Sequence, residues 1–264
     1  MYRGWLTHDP SIIMRIPITE DAPLQTNSQI DKLSYRMAEA EQVVMDAHLA
    51  GHYNATHFRY PTVYGPRQVF PMEWSIIRRI LDRRARLILP GDGLNIESRG
   101  YAENMAHGVL LAVDKPQESS GQIYNLRDEA LLTLRDWINN ICRVMNHRFE
   151  FVEMPYSLVH AAWPYSWHTH HQIVDISKVQ TELGYRDVVP VEKATERTVT
   201  WYLENSPLAS GEAEQQLRDP FDYAAEDRLM DAFLEAMASV KAYCPPEWCF
   251  HHPYDHPKPL PQGD

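Results

Sequence analysis

Cysteine is scarce in this sequence. The 264 residues contain three, Cys142, Cys244 and Cys249. These are too few for a disulfide framework, so we expect the reducing environment of the cytoplasm. Apolar runs that approach the ~20 residues of a membrane span are also missing, and the first ten residues lack the apolar core of a signal peptide. We therefore expect no membrane partner.

Positive charge is in deficit. Lys and Arg together number 25 against 36 Asp and Glu, which gives a formal net charge of −11. Because binding to a phosphate backbone needs a basic face, this balance argues against nucleic acid as a partner. One basic cluster exists, but no aromatic residues are interleaved with it, so we expect a solvated helix face with local ion pairs. Its members are Arg78, Arg79, Arg83, Arg84 and Arg86.

The sequence also lacks a glycine-rich phosphate loop. It holds 11 glycines, and they form no Gly-x-x-Gly-x-x-Gly anywhere in the 264 residues. Such a loop, between a strand and a helix, cradles a dinucleotide pyrophosphate on backbone N–H groups. Metal-ligand residue types do occur near the end of the chain, from Cys244 to His256. Their spacing fits no standard zinc finger, so we predict no metal site there.

An alternation of helix and strand patterns is what the sequence does contain, and it predicts an α/β layered fold with some parallel sheet. Residues 1–33 lack a sustained period and are predicted to form a long surface loop. Predicted strands lie at 54–60, 86–90, 122–126 and 148–153. Predicted helices lie at 34–50, capped by Ser34 and ended by Gly51, and at 73–84, 103–113, 133–145 (capped by Thr133), 177–184, 191–205 and 223–243.

The stretch Arg59 to Gln68 marks where a ligand site is expected. The predicted strand 54–60 must end at Pro61, because proline has no N–H for the ladder. Gly65-Pro66 then turns the chain, and the whole segment after Pro61 is interpreted as a shaped loop. Open α/β sheets bind ligands beyond the carboxyl ends of their strands.

Six stretches, taken together and in order, resemble the extended short-chain dehydrogenase/reductase family, which includes the NAD-dependent epimerases and dehydratases. The resemblance covers about residues 14 to 205. The stretches are Ala38-Glu-Ala-Glu41 with Val43-Val44, Arg59 to Gln68, Tyr101-Ala-Glu-Asn-Met-Ala106, Tyr124-Asn125-Leu126, Asp175-Ile-Ser-Lys178 with Leu183-Gly184-Tyr185, and Thr200-Trp201-Tyr202.

The resemblance implies a partial Rossmann-like parallel sheet with an interleaved, smaller, mostly helical substrate domain. Residues 1–206 would be the C-terminal portion of such a domain, and residues 207–264 a helical and Pro/His-rich extension. It also implies NAD or NADP as cofactor and a sugar-nucleotide-like carbinol or carbonyl compound as substrate. In the family, a hydride passes between nicotinamide and the substrate, with a tyrosine as acid/base.

Several residues acquire expected roles through the resemblance. Arg59, Tyr60, Pro61 and Thr62 would line the nicotinamide end of the cleft, and the alternative is an inert, packed strand end. Residues expected to meet the substrate are Arg67, Gln68, Arg99, Tyr101 and His171. For these the alternatives are a solvated loop, a surface arginine, a core tyrosine and an ordinary loop histidine.

The sequence departs from the family at the catalytic positions. Met1-Tyr2-Arg-Gly4 resembles the segment that follows the family's catalytic serine, so we expect the chain to begin just after that serine. Leu33 and Met37 stand where the family has its tyrosine and lysine, and neither can act as an acid/base or lower a pKa. Tyr35 is a candidate displaced base, although a shift of two residues turns a helical side chain by ~200°. Its alternative role is a packing or surface aromatic.

Three functions remain open at this point. The first is an NAD(P)-dependent epimerase/dehydratase or reductase-like protein, incomplete or atypical. The second is a non-catalytic binding or assembly protein, and the third is an atypical enzyme that uses Tyr35 or a histidine. The face Met37, Ala40, Val44 and Ala47 of helix 34–50 is expected to be mostly core, and in the family this helix also forms a homodimer interface.

Overall fold

The computed structural model describes residues 1–5, 15–159 and 170–244. It divides into two compact units, Met1–Phe221 and Asp222–Asp264, whereas the resemblance placed a boundary at 206/207. Most of the predicted Cys/His and Pro/His-rich tail, from residue 245 onward, lies outside the described residues.

The elements alternate as the sequence predicts. The strands are β1 (His57–Arg59), β2 (Thr62–Tyr64), β3 (Arg86–Pro90), β4 (Ile96–Glu97), β5 (Arg99–Tyr101), β6 (Ile123–Asn125), β7 (Leu132–Thr133) and β8 (Glu150–Met154). The helices of the first unit are α1 (Lys32–Leu49), α2 (Met72–Leu81), α3 (Ala102–Asp114), α4 (Leu134–Val144), α5 (Ser177–Leu183), α6 (Val191–Glu204) and α7 (Glu212–Leu217). Gly91–Gly93 forms a 3-10 turn.

Three of the four strand pairs in the described residues are parallel: β1 with β6, β2 with β5 and β3 with β8. The pair β4–β7 is antiparallel. Parallel pairs need crossover connections, which the intervening helices provide. The α/β prediction is confirmed, with short parallel pairs in place of one continuous sheet.

The chain does not become a loop after Pro61. β1 ends at Arg59, as expected from the missing proline N–H, but Thr62–Tyr64 form β2 on a different partner, β5. The loop prediction is therefore wrong at these three residues. Pro61 therefore separates two strands, β1 and β2, which follow each other directly along the chain. β1 pairs with β6 and β2 pairs with β5, both in parallel.

Helix α1 differs from its prediction at both its start and its inner face. Its N-cap is Asp31, whose carboxylate accepts a hydrogen bond from the Ser34 backbone N–H at 3.0 Å, so Ser34 lies inside the helix. The residues that α1 buries are Ser34 and Glu41. The predicted core stripe is wrong, because Met37 and Ala40 are exposed and Val44 and Ala47 are only partly buried.

The described part of residues 1–33 is also more integrated than a surface loop. Tyr2 and Ile18 are buried and form isolated bridges with Leu24 and Val174. The Ile18 N–H donates to the Ile173 carbonyl at 2.7 Å. This segment is held by long-range pairing, which local periodicity does not reveal.

Helix α2 carries a buried arginine where a solvated face was predicted. Arg79 is 1% exposed and donates to both carboxylate oxygens of Asp219, at 2.6 and 3.0 Å, and to the Ser75 hydroxyl. On the same helix, the Trp74 indole N–H donates to Glu214 at 2.9 Å. The segment around α7 is therefore fastened to α2, which explains why the first unit extends to Phe221.

One apolar core of the described residues lies around β6, α3 and α5. Its fully buried members include Tyr124, Leu126, Val179, Leu183 and Tyr185. Burying a side chain of this size contributes about 1.5–3 kcal/mol. A smaller cluster, Tyr64, Tyr101, Val189 and Ala194, joins β2 and β5 to α6.

The second unit contains one described helix, α8 (Tyr223–Lys241), close to the predicted 223–243. Asp222 caps it by accepting from the Ala225 N–H at 2.9 Å. Within the described ranges, no helix is both long and apolar enough to cross a bilayer.

Candidate functional site

A cleft of about 620 Å³ lies in the first unit, where β1 ends and β2 leads into the loop 65–70. Ligand pockets commonly have volumes of ~300–1,000 Å³. Its wall is largely apolar and aromatic, with a few polar groups. The lining residues are Met1, Trp5, Met37, Tyr60–Tyr64, Pro66–Phe70, Met72, Glu97, Ala102 and Gln172.

The loop after β2 is fixed by hydrogen bonds of its own. Gly65 has a φ of +135°, and a Cβ there would lie 3.1 Å from the Tyr101 ring, so glycine is required. The Gly65 N–H donates to the Gln68 side-chain oxygen at 3.1 Å, and the Gln68 amide nitrogen donates to Glu73. Gln68 thus closes the loop and lines the cleft, and its contact with a substrate stays a prediction.

Glu73 is a buried carboxyl group beneath this loop. Burial raises its pKa, and the nearby Arg99 charge and the Gln68 hydrogen bond oppose that rise without cancelling it. Since Glu73 sits on the first turn of α2, the fastening of α2 by Asp219 also fixes the floor of the cleft.

Arg67 is the cation that the cleft offers to a ligand. It is exposed, adopts a φ of +65° and lines the cleft. It has no hydrogen bond or ion pair with any other residue that the structure describes. An anionic group of a ligand is the natural partner for such a side chain.

The Arg59 side chain bonds to other residues inside the fold. Its guanidinium donates to both oxygens of Glu41, at 2.8 and 2.7 Å, and to the Tyr2 hydroxyl and the Glu20 carbonyl at 2.8 and 2.7 Å. Burial opposes its charge, but these partners raise the pKa of Arg59 above its ordinary value. Its three neighbours in the predicted nicotinamide end, Tyr60 to Thr62, do line the cleft.

The other predicted substrate residues lie apart from the described cleft lining. Arg99 is 9% exposed, pairs with Glu97 at 2.8 Å and stacks over Trp137 at 4.3 Å, so the surface-arginine alternative is wrong. Tyr101 is a core residue. The His171 ring accepts the Ile96 N–H at 3.0 Å. His168, its neighbour in sequence, is outside the described residues.

On helix α1, the cleft is faced by Met37 and not by Tyr35. The Tyr35 hydroxyl donates to Glu39 at 2.7 Å, and that hydrogen bond raises the Tyr35 pKa. A raised pKa is opposite to what a tyrosinate-like base needs. A thioether thus occupies the position where the resemblance expects a lysine.

Glu97 and Gln172 line the cleft without having been singled out in the sequence. Glu97 accepts from the Thr62 hydroxyl at 3.1 Å and from Arg99. Only the alternation Glu97-x-Arg99, which puts both side chains on one face of an extended chain, hinted at the pair. Gln172 comes to the cleft through a bridge with Glu97, a contact between distant parts of the chain.

Residues 14–126 match the family model described as NAD dependent epimerase/dehydratase family. The match covers 113 of the 264 residues and agrees with the resemblance that the sequence motifs indicate. Among curated family relatives, it is 25% identical over 186 residues to a dTDP-glucose 4,6-dehydratase of Streptomyces griseus, which covers 70% of this chain and 52% of the relative.

Solved structures of family members share the fold. The dTDP-glucose 4,6-dehydratase DesIV of Streptomyces venezuelae, crystallised with NAD, is 25% identical with a TM-score of 0.54, covering 73% of this chain and 56% of that one. A UDP-glucose 4-epimerase of Thermotoga maritima, crystallised with UDP-glucose, is 20% identical with a TM-score of 0.58, covering 78% and 63%. The chain spans about half the length of the curated relatives it matches.

The fit of these residues to a dinucleotide is partial. Tyr60, Pro61 and Thr62 line the cleft, and the predicted position of the nicotinamide is beside them. The 264 residues contain no glycine-rich loop for the pyrophosphate, and the cleft face of α1 carries Met37. The described cleft therefore has no glycine-rich cradle for the phosphates, and the position of a nicotinamide beside Tyr60 to Thr62 stays a prediction.

Proposed function

We propose that this chain provides the substrate cleft of an NAD(P)-dependent epimerase/dehydratase or reductase-like protein that acts on a sugar nucleotide. The observation that carries the proposal is the cleft beyond β1 and β2, with the uncommitted Arg67 on its rim. Most of its lining lies within the segment that the family model matches, and proteins similar to this chain are named for dTDP-glucose and UDP-glucose.

The lining suits such a ligand chemically. Aromatic and apolar side chains, including Tyr60, Phe70 and Met72, can cover the flat faces of a base and a sugar ring. Arg67 supplies a fork of donors that matches phosphate oxygens. We place the nicotinamide of NAD or NADP beside Tyr60 and Thr62, in a cytoplasmic protein.

Helix α1 supports a homodimer within the same proposal. It buries two polar residues, Ser34 and Glu41, while Leu33, Ala40 and Val43, which lie within about 80° of one another around the helix, are exposed. A second copy would cover this face, and a Val43→Glu variant should sediment as a monomer if it does. A wild-type protein that sediments as a monomer at high concentration would contradict the dimer.

A second candidate is a non-catalytic binding protein with the same cleft. It is favoured by Met37, because this cleft-facing position lacks the cation that the family chemistry requires. An enzyme that uses Tyr35 as a displaced base is a third candidate. In that case the Tyr35→Phe variant should have no turnover. Unchanged turnover would exclude that role.

Calorimetric titration separates these candidates. Wild-type protein is titrated with dTDP-glucose, UDP-glucose, NAD and NADP, and the products of overnight reactions are assayed for keto-sugars and epimers. Binding of a sugar nucleotide that Arg67→Gln weakens about tenfold, and the exposed control Arg83→Gln does not, would support the cleft. Binding without turnover would favour the non-catalytic protein. Absence of sugar-nucleotide binding would contradict both.

A further inference from the structure

We propose that Glu97 binds the hydroxyl-bearing part of the ligand in this cleft, whereas Arg67, which carries the opposite charge, binds its diphosphate. This inference rests on the proposed function, since it assigns the orientation of a sugar nucleotide in the same cleft. Glu97 would accept hydrogen bonds from sugar hydroxyls, and the diphosphate would lie toward Arg67.

The backbone of Glu97 is fixed on both sides. It pairs with Leu132 in the antiparallel β4–β7 ladder and forms a bridge with Gln172. Its side chain is 17% exposed and lines the cleft. A carboxylate on paired strand backbone is held in place more firmly than one on a loop.

The carboxylate has acceptor capacity left over. One oxygen accepts from the Thr62 hydroxyl at 3.1 Å and the other from Arg99 at 2.8 Å. A carboxylate offers about four lone-pair directions, so about two remain for donors in the cleft. Sugar hydroxyls are donors of the right kind, whereas phosphate oxygens at neutral pH are acceptors.

Arg99 stabilises the negative charge of Glu97 and does not itself bind the ligand in this proposal. It is buried, stacked on Trp137 and bonded to Glu97, so it does not swing into the cleft. A partly buried carboxylate needs such an opposing charge. The cleft wall therefore contains an acceptor group, Glu97, and a donor group, Arg67.

A ligand series on wild-type protein tests this without any variant. Calorimetry would compare dTDP-glucose, dTDP and dTTP, and the corresponding uridine series. A charge-assisted hydrogen bond from a sugar hydroxyl should make dTDP-glucose bind about tenfold more tightly than dTDP. The added phosphate of dTTP should weaken binding relative to dTDP, because it approaches a carboxylate. Equal affinities for all three would overturn the inference while leaving the cleft assignment intact.

The Glu97→Gln variant is the second arm, with Glu196→Gln on the exposed face of α6 as the charge-matched control. The preference for dTDP-glucose over dTDP should fall about tenfold in Glu97→Gln and stay unchanged in the control. The affinity for dTTP should rise. An unchanged preference in a folded Glu97→Gln protein would overturn the assignment. If neither dTDP nor dTDP-glucose binds wild-type protein, the proposed function fails together with this inference.

Discussion

Glu41 forms a bidentate ion pair with Arg59, in which its two carboxylate oxygens accept hydrogen bonds from Nε and Nη2 of the guanidinium at 2.8 and 2.7 Å. The pair joins the inner face of α1 to the end of β1, and the next residue, Tyr60, lines the cleft. Burial alone would raise the pKa of Glu41, but the hydrogen bonds and charge of Arg59 outweigh it and hold the pKa below its ordinary value.

Glu41→Gln should lower the free energy of unfolding by about 3 kcal/mol, because it leaves the buried Arg59 charge without its counter-ion. Urea denaturation measures this loss. Glu39→Gln, an exposed neighbour on the same helix, should change the free energy by about 0.5 kcal/mol or less. Equal effects of the two variants would show that the pair contributes nothing specific.

The same pair sets a pH dependence. Because the folded pKa of Glu41 is lowered, its contribution to stability is present above the unfolded pKa and is lost as the pH falls through the folded pKa. The stability difference between wild type and Glu41→Gln should therefore shrink in acid. A difference that stays constant down to pH 3 would contradict this linkage.

Most helices could be predicted from the sequence because their signals are local. Thr133 caps α4 as expected, accepting from the Asp136 N–H at 3.1 Å, and Gly51 follows α1 with a φ of +75°. Several short strands could not be predicted from the sequence. The two- and three-residue strands β2, β4, β5 and β7 carry no period of their own and exist through pairing with distant segments.

The candidate site was only half predictable for the same reason. The stretch Arg59 to Gln68 was marked as a ligand site by a strand, a proline and a turn, all of which are local, and the expected roles of its residues came from the family resemblance. Glu97 depends on where β4 falls beside the cleft, and Arg79 on an aspartate 140 positions away. Charge-pair partners at such separations are set by tertiary packing, which a single sequence does not encode in a readable pattern.

Asp219→Ala should destabilise the first unit by about 3–5 kcal/mol, because Arg79 would remain buried without its counter-ion. Thermal or urea unfolding measures the loss, and Asp114→Ala, an exposed aspartate at the end of α3, is the control. Because α2 carries Glu73 beneath the cleft loop, the affinity of the Asp219→Ala variant for sugar nucleotides should be lower than that of wild type. This difference should be present at temperatures well below the melting temperature of the variant. An Asp219→Ala protein as stable as wild type would contradict the role assigned to this ion pair.

Cys142 should resist thiol reagents in the native protein, whereas Cys244 should react. Cys142 is buried in α4, and burial raises its pKa to about 12, so almost no thiolate forms at neutral pH. Cys244 is exposed. Labelling with iodoacetamide, followed by peptide mass spectrometry before and after unfolding in urea, gives the result. Rapid native labelling of Cys142 would mean that α4 opens easily.

Asp187→Asn should flatten the dependence of stability on pH between about 4 and 7. Burial raises the pKa of Asp187 to about 6 from its ordinary 3.8, aided by the charges of Asp128 and Glu129 and opposed by the hydrogen bond from the Glu129 N–H. The protonated form is therefore favoured by folding. Its contribution to stability is complete below the unfolded pKa and is lost as the pH rises through about 6.

Wild type should thus lose stability relative to Asp187→Asn as the pH rises, since the asparagine stays neutral and can still accept the Glu129 N–H, which Asp187 accepts at 2.8 Å. Urea denaturation at intervals from pH 4 to 7 measures the difference, with Asp114→Asn as the exposed control. The control's curve should run parallel to that of wild type, because its carboxylate faces solvent. Parallel curves for Asp187→Asn as well would show that Asp187 titrates alike in the folded and unfolded chains. A difference that opens between pH 4 and 6 and then levels off would locate the titrating group in the contact between residues 127–129 and 185–189.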